Sequence, residues 1–87
     1  MFQIPITDRP RWIALLHEQR IPDVLRRIAE TYSIGRGDLG IVLADLSLDA
    51  MTPHVQAVWT WDLDQRGRGL TDEELVAELV GLRFPAA

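Results

Sequence analysis

Apolar side chains along this chain recur mostly at three- and four-residue intervals, the spacing that gathers them on one face of an α-helix. The strongest case is Val24, Leu25, Ile28, Ala29 and Tyr32, which predicts a helix over 22–32. Trp12, Ile13, Leu15 and Leu16 predict an earlier helix over 9–20, and Leu75, Val76, Leu79, Val80 and Leu82 a last one over 72–82, all five pointing inward. A helix over 38–48 is different. Its Leu39, Val42, Leu43 and Leu46 share one face, but Ile41, Ala44 and Leu48 lie opposite at 100° per residue, so this helix is expected at the centre of a bundle or at a dimer seam. Ahead of the first helix, Phe2 to Ile6 alternates apolar and polar but carries Pro5, which cannot donate to a ladder, and is expected as an extended arm across the core.

Punctuation between these stretches agrees with the periods. Thr7 or Asp8 followed by Pro10, then Pro22, then Thr52 with Pro53 are helix starts, because proline in the first turn lacks only an amide that has no partner there. Thr71 and Glu74 have the spacing of a capping box, with Asp72, Glu73 and Glu74 complementing the positive helix end. Gly35 stands where a left-handed cap is expected to close the second helix. One stretch fits two patterns. Val55, Val58 and Trp59 share a helical face, while Val55, Ala57, Trp59, Trp61 and Leu63 alternate as in a half-buried strand. The Thr-Pro start and the lack of a good partner strand favour helix. The expected fold is therefore all-α, one domain over 1–87 built as four or five short helices with an extended N-terminal arm; the alternative is an α+β fold with a strand at 55–63.

Composition narrows the function. With 47% hydrophobic and 25% charged side chains, 87 residues suit one small core and no second. There is no cysteine, so disulfides, thiolate metal sites and thiol nucleophiles are excluded, and there is no apolar run of the roughly 18 residues a membrane span needs. With no signal-peptide pattern at the start, a cytoplasmic protein without membrane attachment is the expectation. The net charge of −4 is unevenly spread: residues 1–37 carry six arginines against four acids, and residues 38–87 three arginines against nine, a net of −6. An acidic half of this kind attracts basic partners and repels polyphosphate.

Candidate chemistry is sparse. His17, His54, Ser33, Ser47, Thr31 and Tyr32 show no spacing that sets a base against a nucleophile, so no enzyme, cofactor or metal site is expected. From Leu25 to Leu46 the chain resembles a helix-turn-helix unit, with Ile28, Ala29, Tyr32, Ile34, Leu39 and Val42 at that family's buried positions. The resemblance implies DNA binding, with Arg26, Arg27 and Arg36 facing phosphates. It departs from the family at Ser33, where the turn has glycine, and in a second helix that offers Gly37, Asp38, Gly40, Ile41, Ala44 and Asp45 to a groove read by Arg, Lys, Asn and Gln. From Val55 to Val80 the chain resembles an EF-hand: Val58 and Trp61 match its entering helix, Asp62 and Asp64 its first carboxylates, and Gly67 its turn. The implied calcium loop departs where Arg66 replaces an oxygen ligand and Gly69 an apolar residue, with Glu73 or Glu74 as the closing glutamate.

The tryptophans remain. On a continuous helix Trp61 lies about 160° from Trp59, so one core does not cover both. The function expected from this pattern is a non-catalytic protein-interaction module, an immunity-like or adaptor-like partner of a basic protein. Trp61, Ile41 and Leu48 are its expected anchors, and Asp62, Asp64, Glu73 and Glu74, with Asp72 and Glu78, its acidic steering surface. A second copy of the chain is a further candidate partner, and nucleic acid the alternative.

Overall fold

The helical periods appear as five α-helices in a computed structural model that describes residues 2–86: α1 (Arg9–Glu18), α2 (Ile21–Tyr32), α3 (Arg36–Leu46), α4 (Thr52–Trp59) and α5 (Asp72–Glu78). Among the described residues there is no strand, and the chain forms a small all-α bundle. Pro10, Pro22 and Pro53 each sit in the first turn of their helix, where the ring presets the helical φ. Thr71 and Glu74 form the expected capping box: the threonine hydroxyl accepts from the Glu74 amide at 3.1 Å and the Glu74 carboxylate accepts from the Thr71 amide at 3.0 Å. The α2 cap differs from expectation. Ser33, not Gly35, takes the left-handed conformation at φ 55°, while Gly35 is extended and precedes α3. No helix among the described residues is long and apolar enough to cross a membrane.

The two-faced helix is central. Leu39, Val42, Leu43 and Leu46 of α3 are buried in a core shared with Trp12, Ile13, Leu16, Val24, Leu25 and Ile28, while the side around Gly40 packs on α4. The N-terminal arm crosses this core, with Ile4 buried and the Phe2 ring 5.0 Å from that of Tyr32. A single 3-10 turn (Ile6–Asp8) joins the arm to α1 and is held from below: the Trp12 indole donates to the Tyr32 hydroxyl at 2.9 Å, which donates to Asp8 at 2.7 Å. Burial, then the bond to Asp8, pushes the Tyr32 phenol up, so it stays a donor at neutral pH.

Gly40 sets how closely α3 and α4 approach. A Cβ at this position would lie 2.5 Å from Nε1 of Trp59 and 3.0 Å from Cγ1 of Val55. Alanine is the better helix former, but here it displaces the indole. Gly40→Ala is therefore expected to destabilise the chain by about 1–3 kcal/mol. Gly37→Ala, where nothing lies within 4 Å, is expected to be neutral or stabilising. Urea unfolding midpoints check both.

Two stretches depart from the sequence expectation. The strand alternative at 55–63 is corrected, since residues up to Trp59 are helical; beyond Thr60 the backbone makes only an isolated parallel bridge between Trp61 and Leu70. Two hydrogen bonds close it, Asp62 amide to Leu70 carbonyl at 2.9 Å and Leu70 amide to Thr60 carbonyl at 2.8 Å. The last helix ends at Glu78 rather than 82, with Gly81 at φ 89°, and Val76 and Val80 point into solvent instead of inward. The tail then returns to the bundle. The Leu48 amide donates to the Arg83 carbonyl at 2.8 Å, Arg83 donates to Asp49, and Phe84 packs edge-on to His17.

Candidate functional site

The expected anchor Trp61 is a core residue. It has no exposed surface, because the chain leaves the helix at Thr60 and turns the indole under the 62–71 loop rather than outward. There its Nε1 donates to Oδ1 of Asp72 at 3.0 Å, and the Arg26 guanidinium stacks 4.7 Å from its ring. Arg26 also grips Asp72 through two bonds of 2.6 and 2.8 Å and donates to the carbonyls of Asp62 and Leu63 at 3.2 and 3.1 Å. One guanidinium thus fastens α2, the loop and the start of α5 around an indole. Its hydrogen bonds hold the Asp72 carboxyl below the usual carboxylate range, and the same bonds raise Arg26.

This clasp reassigns two of the sequence candidates. Arg26, read as a phosphate contact in the helix-turn-helix resemblance, is engaged inside the protein. Arg36 donates to the Trp61 carbonyl at 3.1 Å, and Arg27 alone of the three stands free on the α2 surface. Helices α2 and α3 are joined by a three-residue turn, with Ile28, Leu39 and Val42 buried. However, Trp59 and Val55 of α4 cover the side of α3 around Gly40, so that side is not open to a major groove.

The calcium-like carboxylates do not converge. Both oxygens of Asp62 accept loop amides, from Arg66 at 2.9 Å and Gly67 at 2.8 Å, and these bonds hold its carboxyl low. Asp64 is exposed, Glu73 reaches Arg20 at 3.2 Å on the surface, and Glu74 caps α5. Among the described residues no three His, Asp or Glu side chains are grouped to hold a metal. The imidazoles are likewise engaged. Nδ1 of His54 accepts the Met51 amide at 2.9 Å to cap α4, and Nε2 of His17 meets the Pro85 carbonyl at 2.7 Å.

The exposed indole is Trp59, at 44%; the α3–α4 hairpin's other exposed large apolar side chains among the described residues, Leu48 at 61% and Met51 at 67%, lie at its turn. Its Nε1 donates to the Gly37 carbonyl at 3.2 Å, which holds the pyrrole edge of the ring against Gly37 and Gly40 of α3. Val55 and Trp59 stand one turn apart on α4, Met51 is the extended residue just before the helix, and half-buried Ile41 lies on the neighbouring α3. Of the residues expected as anchors, Ile41 is half-buried, Leu48 is exposed and Trp61 is buried, while Trp59 takes the exposed position expected of Trp61. The sequence signal for the exchange is weak: Trp59 shares its spacing with Val55, which marks a contact stripe without saying which side faces water. Scans against protein-family models and searches of curated proteins and of solved structures return no match to this chain.

Proposed function

We propose that the chain is a non-catalytic protein-interaction module that docks a basic partner protein on the outer face of the α3–α4 hairpin. The observation that carries this reading is the exposure of Trp59, Leu48 and Met51 together on one hairpin, in a chain whose other tryptophans, Trp12 and Trp61, are buried. An exposed tryptophan tethered by its own hydrogen bond, on a hairpin that exposes further apolar side chains, has the composition of an interface hot spot.

Charge supports the choice of partner. Residues 38–87 carry nine acids against three arginines. On α3, Asp38 and Asp45 follow Ile41 around the helix, and Asp49 lies just beyond its end. Asp45 and Asp49 hold Arg9 and Arg83 through exposed ion pairs. Such pairs contribute little, so a partner's cation replaces them at low cost. Asp62, Asp64, Glu73 and Glu74 add to the field that draws a basic surface in, and a cytoplasmic setting belongs to the same proposal.

The test takes a partner recovered by affinity capture and measures its association rate against salt. The expected result is a rate that falls steeply with ionic strength, and falls by about ten-fold at low salt when Glu73 and Glu74 are both reversed to lysine. Leu48→Asp, which removes no core contact, is expected to raise the dissociation rate instead. A salt-independent association rate together with an unaffected Leu48→Asp variant overturns the proposal.

A further inference from the structure

Away from the hairpin's exposed apolar side chains, Arg36, Arg66 and Arg68 line one open hollow of about 180 Å³, together with Asp62, Leu63 and Asp64. This is an unusual gathering for a chain with a net charge of −4. Among the described residues none of the three guanidiniums lies within ion-pairing distance of a carboxylate, whereas Arg9, Arg20, Arg26 and Arg83 each do. Clustered like charges repel, so an arrangement that leaves them unneutralised is one an anion relieves.

The two carboxylates at the hollow do not supply that anion. Both oxygens of Asp62 are turned onto the Arg66 and Gly67 amides, which leaves the loop's guanidiniums without that acid and fixes the turn that carries them. Asp64 is exposed and hydrogen-bonds none of the three. Arg36 is positioned in advance by its bond to the Trp61 carbonyl, made through Nη1, so its Nη2 remains to meet a ligand. Counting all five charged side chains, the hollow is net positive by one.

From this geometry we infer that the hollow is a binding site for a phosphate group, held by Arg36, Arg66 and Arg68. Guanidinium forks match the spacing of phosphate oxygens and bind them through paired, charge-assisted hydrogen bonds. Sources of such a group are the free anion or a phosphate ester on another molecule, and the chemistry at the hollow is common to both. The inference is independent of the docking reading, since it uses none of the hairpin's apolar residues.

Calorimetric titration of the full chain with inorganic phosphate, and separately with O-phosphoserine, tests it against sodium chloride at matched ionic strength. Saturable binding of at least one phosphate probe is expected. The double variant Arg66→Ala with Arg68→Ala is expected to weaken it by about ten-fold or more. Asp64→Asn is expected to tighten it, because it removes an anion from the rim, and Arg27→Ala, which alters an exposed arginine outside the hollow, is expected to leave it unchanged. Tighter binding of O-phosphoserine assigns the site to a phosphate ester, and tighter binding of inorganic phosphate to the free anion. Absence of saturable heat beyond the chloride control overturns the inference, as does equal weakening by Arg27→Ala.

Discussion

Trp61→Ala is expected to destabilise the chain by roughly 3–5 kcal/mol, the cost of emptying a fully enclosed aromatic site. The effect is large because the indole has three functions at once. It fills the core beneath the 62–71 loop, it donates to Asp72, and it provides the face on which Arg26 lies. A domain of this size has about 5–15 kcal/mol of stability in total, so the variant is expected to populate unfolded chains at room temperature. Trp61→Phe keeps most of the packing but leaves Oδ1 of Asp72 without the indole donor, and an intermediate loss is expected. Urea denaturation followed by far-ultraviolet circular dichroism orders the three proteins; equal midpoints for wild type and Trp61→Ala contradict the burial described above.

The second large effect is expected at Arg26. Removing its guanidinium strands the Asp72 carboxylate beside the indole and frees the Asp62 and Leu63 carbonyls, at a cost of about 2–4 kcal/mol. Asp72→Asn carries a smaller loss, and the double variant is expected to cost less than the sum of the two, because the partners belong to one clasp. The pH dependence has a defined sign. Asp72 is held below its ordinary value of 3.8, so it binds protons less readily folded than unfolded. Its contribution is complete above that ordinary value and is lost as the pH falls through the lower folded one. Wild type is therefore expected to lose stability more steeply than Arg26→Ala between about pH 4 and pH 2; parallel acid profiles contradict the clasp.

Much of the architecture is legible in the residues themselves. Proline at positions 10, 22 and 53 and the Thr71 to Glu74 spacing mark helix starts through local hydrogen-bond accounting, which needs no knowledge of the rest of the chain. The double apolar face of α3 likewise announces its central place. The misplacements share a different cause. Trp61 fits the apolar spacing of its neighbourhood, but its fate is decided by Asp72 and Arg26, 11 and 35 positions away, and helical periodicity carries no information about such partners. The alternation across 55–63 is a mixture: helical to Trp59, then extended only where Leu70 pairs with it. Leu79, Val80 and Leu82 continue the α5 pattern, yet Gly81 breaks the helix and the tail is drawn toward Leu48 and Asp49. Ser33 adopts the left-handed cap expected of Gly35, which a short polar side chain tolerates.

The same logic explains the candidate site. The incomplete burial of Ile41 and Leu48 is legible because α3 has more apolar surface than one core absorbs. That Trp59 rather than Trp61 lies outside is not, because Gly40 and the Gly37 carbonyl hold Trp59 against α3. The acids of the 62–74 stretch divide by local need, Asp62 to the loop, Asp72 to the clasp and Glu74 to the cap, leaving Asp64 and Glu73 toward solvent.

The central claim is that Trp59 is the anchor for a partner protein. Its most direct test is the affinity of a Trp59→Ala chain for the captured partner, measured alongside its melting temperature. The expected result is affinity lowered by about 30-fold or more, the signature of a hot-spot tryptophan, in a chain that still folds. Undiminished affinity in the folded variant would contradict it.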